Sequence, residues 1–295
     1  MLTFDATFGT MMTTAFSATV RALRRILLAA LVAAPAAASG AFAADTTLKA
    51  DYLITIAGVT IGKVNVEGRF SASGYAATIS GRTYGISRFV SDASAVLAGN
   101  GRIRGDRVTP ATYALDTEEK GFQTHVSMAM RGGSIVDLST APRLLPYPDR
   151  VPVTSRHKRN VVDPVGAFMV AIDQPLAVAG PAACNRTVNV FDGWQRYDVK
   201  LSFKGSRHVV NGDGAYSGEV FICRARYVPV AGHRPTRDSV QYMADNKRLE
   251  VWLAPVDGTR VLVPYRLLVG TQMGDLVIVS RDFDVSLTKK QATAD

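Results

Sequence analysis

The chain has 295 residues, with 34 Lys or Arg against 25 Asp or Glu and a formal net charge of +9. That length can bury a sizeable core and suits one large β domain or two small ones. The positive charge is spread along the chain and no recognition motif accompanies it, which sets nucleic acid aside as a partner.

The N-terminal stretch reads as an export signal. Arg21, Arg24 and Arg25 form a positive region, Ile26 to Ala38 an apolar run of 13 residues, and Ala41-Phe42-Ala43 a small-x-small cleavage site. At about 1.5 Å per residue the run reaches roughly 20 Å, short of a hydrocarbon core of ~30 Å. Residues 1–43 are therefore expected to be removed rather than to anchor the chain. The mature protein, with a charge of about +7 once three arginines and Asp5 are gone, is expected in the periplasm, peripheral rather than transmembrane. No cysteine lies near the cleavage site to carry a lipid.

From Leu48 onward the pattern is that of strands. Leu48, Ala50, Tyr52, Ile54 and Ile56 recur at period 2, Ala57-Gly58-Val59 makes a turn, and residues 61–70 return as the second arm of a hairpin. Further strands are predicted at 75–83, 89–97, 111–117, 122–130 and 134–138, separated by Gly-containing turns. Turn signals every 8 to 12 residues or so favour an antiparallel barrel or sandwich. Residues 141–152 hold four prolines and read as a surface loop or crossover.

One helix is predicted next. Asp163 is a good N-cap and Pro164 suits the first helical position, while Val165, Phe168, Met169 and Ile172 fall on one face before Gln174-Pro175 ends it. Strands resume at 186–191 and 195–203 around the tight-turn signal Asp192-Gly193. They continue at 219–227, and after a polar, irregular stretch at 229–246 close with 248–253, 261–269 and 275–285. The tail 289–295 is polar and expected to be disordered. The expected fold is therefore mainly β: a single antiparallel β-barrel-like domain over 44–288, with one short amphipathic helix.

The mature chain has two cysteines, Cys184 and Cys223. In an oxidising compartment the simplest reading is a disulfide. Free buried thiols and a metal site are the alternatives, and the second would need His partners where His125, His157, His208 and His233 are scattered singly. No metal or cofactor is expected.

No catalytic motif is defensible. His125 lies on the polar phase of a strand with no partner visible in the sequence, and Glu118-Glu119 point to opposite faces. Asp163 is explained as a helix cap, and Asp192 and Asp198 by turn and strand-edge chemistry. Arg224 and Arg226 put two cations on one strand face, suited either to an anionic head group or to plain solvent. Phe168, Met169 and Ile172 with Trp194, Tyr197, Tyr242 and Trp252 fit two arrangements, a filled core or the wall of a ligand cavity.

Several short motifs follow one another in a recognisable order: Val162-Asp163-Pro164-Val165-Gly166-Ala167-Phe168, Val190-Phe191-Asp192-Gly193 with Tyr197-Asp198-Val199, a Cys strand, and Leu249-Glu250-Val251-Trp252-Leu253. With the Gly58-Val59-x-x-Gly62 hairpin and Pro110-x-x-Tyr113, this order resembles the exported bacterial domain-of-unknown-function family 3108 over residues 48–287. The resemblance implies a periplasmic β-barrel-like domain without an established activity, and no catalytic residues to carry over. Ala254-Pro255-Val256-Asp257 departs from it, standing where a more polar Ser-x-Asp turn is expected. The function expected is non-enzymatic: binding, carrying or sensing an apolar or amphipathic envelope component such as a lipid. The alternative is a structural protein that supports the cell envelope through its surface, with Arg156–Arg159 and the Pro-rich loop as contact elements.

Overall fold

A computed structural model describes residues 45–85, 92–210 and 216–288. The leader read over 1–43, the tail 289–295 and the first residues of the strand expected at 89–97 lie outside them. Among the described residues fourteen strands form one antiparallel sheet. The first seven are β1 (Asp45–Ile56), β2 (Val59–Phe70), β3 (Gly74–Thr83), β4 (Ala93–Arg104), β5 (Arg107–Glu119), β6 (Phe122–Arg131) and β7 (Ser134–Ala141). After the helical turn α1 (Pro164–Ala167) come the two-residue β8 (Val170–Ala171), the helix α2 (Ala179–Cys184), β9 (Thr187–Phe191), β10 (Arg196–Val209) and β11 (Gly218–Ala231). The helix α3 (Asp238–Asp245) precedes β12 (Leu249–Val256), β13 (Val261–Thr271) and β14 (Gly274–Thr288).

The order across the sheet is β7-β6-β5-β4-β3-β2-β1-β14-β13-β12-β11-β10-β9, with β8 added to β13. Two meanders are thus joined where the first and last strands pair, from Asp45↔Thr288 to Ile56↔Leu276. The sheet is barrel-like but not closed, because β7 and β9 are its two edges. The Pro-rich segment runs between them. Val151 exchanges backbone hydrogen bonds with Gly232 and His233, and the Asp149 carboxylate accepts from Arg234 Nε at 2.8 Å. Val161 N–H then donates to Gly133 O in the β6–β7 turn, and Val162 pairs with Val190 of β9. The crossover expected at 141–152 is in effect a lacing that covers the gap.

Period 2 holds on the inner face. Leu48, Ala50 and Tyr52 of β1, Val66 and Phe70 of β2, and Val126, Met128 and Met130 of β6 are buried, while Lys49, Asp51, Glu67 and His125 point outward. These residues surround α1 in one core cluster with Val165, Met169 and Phe191. Close approach depends on two glycines. A methyl on Gly99 of β4 would stand 3.0 Å from Val165 Cβ, and Gly193, at φ +108°, sits where its own methyl would be 2.7 Å from Val126 Cγ1. A second cluster packs α2 against β11, β12 and β13 through Ala179, Ala183, Phe221, Leu253 and Leu262. There Cys184 and Cys223 form a buried disulfide with Cα atoms 5.3 Å apart.

The helix differs from expectation. It is a single turn ending at Ala167, with Phe168 as its C-cap. Gly166 weakens it, and β-branched Val170 and Ile172 instead extend along β13, where Val170 pairs with Leu262 and Ile172 N–H donates to Arg260 O. Phe168, Met169 and Ile172 therefore do not share a helical face. Two further helices lie where none was expected, α2 and, within the stretch read as irregular, α3. At the departure noted after Trp252 the strand continues: Ala254, Pro255 and Val256 are buried and the turn comes at Asp257-Gly258.

Two stability measurements follow. Replacing both Cys184 and Cys223 by Ser opens a 39-residue loop and should cost about 4 kcal/mol by loop-closure entropy, read as a lowered urea midpoint. Gly193→Ala should cost about 2 kcal/mol or more, since it combines a strained φ with a clash in the core.

Candidate functional site

The interior is not filled evenly. Where the two core clusters meet lies an apolar cavity of about 360 Å³, half open to solvent. Its floor is the inward phase of four strands: Tyr197, Val199 and Leu201 of β10, Ala225 and Tyr227 of β11, Leu249, Val251 and Leu253 of β12, and Leu267 and Val269 of β13. Val188 and Val190 of β9 and Ile278 of β14 close its sides, and Pro164, Ala167, Phe168 and Val170 of the α1–β8 segment roof it. The only charged residues in this lining are Arg226 and Glu250, which lie on the outward phase of their strands and stand with Met243 of α3. The volume is at the small end of the roughly 300–1,000 Å³ of ligand pockets.

The roof is held by Asp163. Its Oδ1 accepts from the N–H groups of Val165 at 2.7 Å and Gly166 at 2.9 Å, as an N-cap should. The carboxyl is fully buried, and burial, against these backbone hydrogen bonds, pushes its pKa up to about 6. Its Oδ2 and the Tyr75 hydroxyl are both buried without a hydrogen-bond partner. They flank one point above Gly166, 3.3 and 3.4 Å from where a methyl there would lie. A proton on Oδ2 suits this setting, because it removes a buried charge beside a phenol. Asp192 caps the neighbouring hairpin, its Oδ1 accepting from Trp194 and Gln195 N–H at 2.9 and 2.7 Å, and burial raises its pKa too. Burial raises Tyr75 and Tyr113, with the Asp163 charge adding to both and Asp192 to Tyr113.

Of the seven residues expected to line a cavity, two do so. Phe168 stands edge-on to Tyr52, ring centroids 6.4 Å apart, and Tyr197 lies against Tyr227 at 5.3 Å. Met169 is buried in the first cluster and Ile172 in the second. Trp194 packs on the first cluster and donates from Nε1 to Pro142 O at 3.1 Å. Tyr242 donates to Gly270 O at 3.0 Å, so α3 contributes its neighbour Met243 instead. Trp252 faces the other side of β12, between the guanidinium groups of Arg266 and Arg207 at 5.0 and 5.4 Å. The wall that sequence reasoning missed is aliphatic, and alternating Val and Leu carry the same signal whether they face a cavity or a filled core.

His125 does find a partner, Asp116 across the β5–β6 pair at 2.7 Å, but on the exposed face. Among the described residues no three His, Cys, Asp or Glu side chains are grouped so as to hold a metal ion, and no helix is long and apolar enough to cross a membrane.

The fold and site thus define a barrel-like open β protein with a half-open apolar cavity. Residues 51–279 match the family described as protein of unknown function (DUF3108), and the chain belongs to that family. No curated protein matches it. Among solved structures it is similar to the crystal structure of a beta-barrel-like protein of domain of unknown function DUF1849 from Brucella abortus, with 10% identity and a TM-score of 0.46, covering 83% of this chain and 98% of that one.

The Asp163 carboxyl sets a pH dependence. Its folded pKa, about 6, lies above the ordinary 3.8, so folding favours the protonated form. The contribution, about 3 kcal/mol, is complete below about pH 4 and is lost as the pH rises through about 6. Asp192, whose pKa burial also raises, adds a slope of the same sign. Asp163→Asn keeps an acceptor for both amides and carries no charge. Urea midpoints at pH 4.5 and pH 7 should differ much less in this variant than in the wild type.

Proposed function

We propose that this protein is an exported envelope protein of the periplasm that binds an apolar or amphipathic small molecule in its interior cavity, without covalent chemistry. The observation that carries the reading is the cavity itself. About 360 Å³ of space is walled by Val, Leu, Ile, Phe and Tyr from six strands and the α1–β8 segment. A half-open apolar wall of this extent leaves hydrophobic surface against water, a loss of apolar burial. An occupant that excludes water from this wall recovers that loss through apolar burial, roughly 25 cal/mol per Å². The leader supports export, and the disulfide suits an oxidising compartment.

The test uses the neutral fluorophore N-phenyl-1-naphthylamine. It should gain fluorescence with the wild-type mature chain, and Ala225→Trp, which places an indole in the cavity, should abolish the gain while the protein stays folded by circular dichroism. No gain with wild-type protein, or an equal gain with the Trp variant, removes the reading. Solvent extraction of protein isolated from an osmotic-shock fraction should yield an apolar compound, and the mature N-terminus in that fraction should be Ala44.

A further inference from the structure

Neighbouring strands of the sheet part at more than one place, and the cavity reaches the split between β11 and β12. β11 and β12 pair only from Phe221↔Leu253 to Arg224↔Glu250. Beyond the last pair β11 continues to Ala231 along β10, while β12 has its first residue at Leu249. The helix α3 packs against β11 here, and its Met243 lines the cavity together with Arg226 and Glu250. The lining therefore changes from aliphatic to charged at the split between the two strands.

Three cations, Lys200, Arg224 and Arg226, stand there against one acid, Glu250, which lies opposite Arg224 in the β11–β12 register. Lys200 stands directly opposite Arg226 in the β10–β11 register, and Arg224 lies on the same face two residues away. All three are exposed. Like charges directly opposite on antiparallel strands repel. No carboxylate of the described residues lies within ion-pair distance of any of the three; the Arg226 guanidinium has only a 3.5 Å contact to Ala244 O. The single acid in the lining, Glu250, is already engaged by the Lys204 ammonium and by Trp252 Nε1 at 3.4 Å. The Arg226 side chain is on the outward phase of β11, and the residue meets the cavity lining only through the split. Its guanidinium, bonded among the described residues to Ala244 O alone, keeps a planar fork that matches a carboxylate or phosphate.

We propose that the ligand is a single-chain amphiphile with an acidic head group, its chain in the cavity and its head group held by Arg226 at the split between β11 and β12. This rests on the cavity reading above and adds the sign of the ligand's charge and the residue that reads it. A volume of about 360 Å³ suits one chain rather than two. An anionic head group also relieves the repulsion between Arg226 and Lys200, and a neutral one does not.

The experiment compares cis-parinaric acid with its methyl ester on the mature wild-type chain at low salt, by fluorescence titration. The acid should bind about tenfold more tightly than the ester, the size of one charge-assisted hydrogen-bonded contact. Arg226→Gln should weaken the acid by about tenfold and leave the ester unchanged, and Arg226→Lys should restore most of the difference. Because ester binding reports an intact cavity, a misfolded variant cannot mimic this result. Displacement of the bound acid by palmitate alone assigns a carboxylate head group, and displacement by lysophosphatidic acid a phosphate one. Equal affinity for acid and ester, equal loss of both in Arg226→Gln, or displacement by neither competitor overturns the proposal. If neither the acid nor the ester binds, the cavity reading falls as well.

Discussion

The pairing of the first strand with the last organises everything else in this molecule. β1 and β14 meet along twelve positions, from Asp45↔Thr288 to Ile56↔Leu276, and so fuse two meanders that would otherwise be separate open sheets. Because the first and last described strands meet in the middle of the sheet, its two edges fall between them in the sequence, at β7 and β9. Unpaired edges leave backbone groups unsatisfied and invite wrong partners. Here residues 142–163 cover the gap, anchored by Asp149 on Arg234, by Val151 on Gly232 and His233, and by Val161 and Val162 between Gly133 and β9. Prolines suit such a segment, since it crosses over the sheet edges without forming a strand of its own.

The same segment delivers Asp163 and α1 into the concave face. That placement sets α1 against β3, β4 and β5 and leaves the apolar cavity on the β9–β14 side. On the β3–β6 side, Gly99 and the small Gly166 let Val165 approach the sheet closely, with Pro110 and Tyr75 packed around it. On the β9–β14 side the chain leaves α1 at Phe168 and turns onto β13 as β8, spanning the cavity instead of descending into it. The second cluster, tied by Cys184–Cys223, fixes α2 behind Phe221 and Leu253. The cavity is what remains between two cores packed around different short helices.

Its chemistry is divided in a matching way. The wall is aliphatic and aromatic, and the charged residues appear only where β11 and β12 separate. Asp163, a buried carboxyl with a pKa of about 6, belongs to the support of the roof, since its cap bonds account for Oδ1 and its remaining oxygen faces Tyr75. Membership of the DUF3108 family covers residues 51–279, which includes the roof, the wall and the split.

The strands were legible because each carries a local signature: period-2 alternation such as Leu48-Ala50-Tyr52, and turn residues such as Asp192-Gly193, are set by the pleat and by backbone sterics. The Asp163-Pro164 start was legible for the same reason, because a cap is a contact within three residues. The end of that helix was not, since Val165, Phe168, Met169 and Ile172 satisfy helical spacing and only pairing with Val261 and Leu262, some 90 residues on, draws Val170 and Ala171 into a strand. The cavity was legible least of all. Sequence by itself determined which residues turn inward, a property of each strand alone. Whether an inward Val199 or Leu253 meets another side chain or empty space depends on how far apart two packed clusters come to rest, and tertiary structure alone decided that.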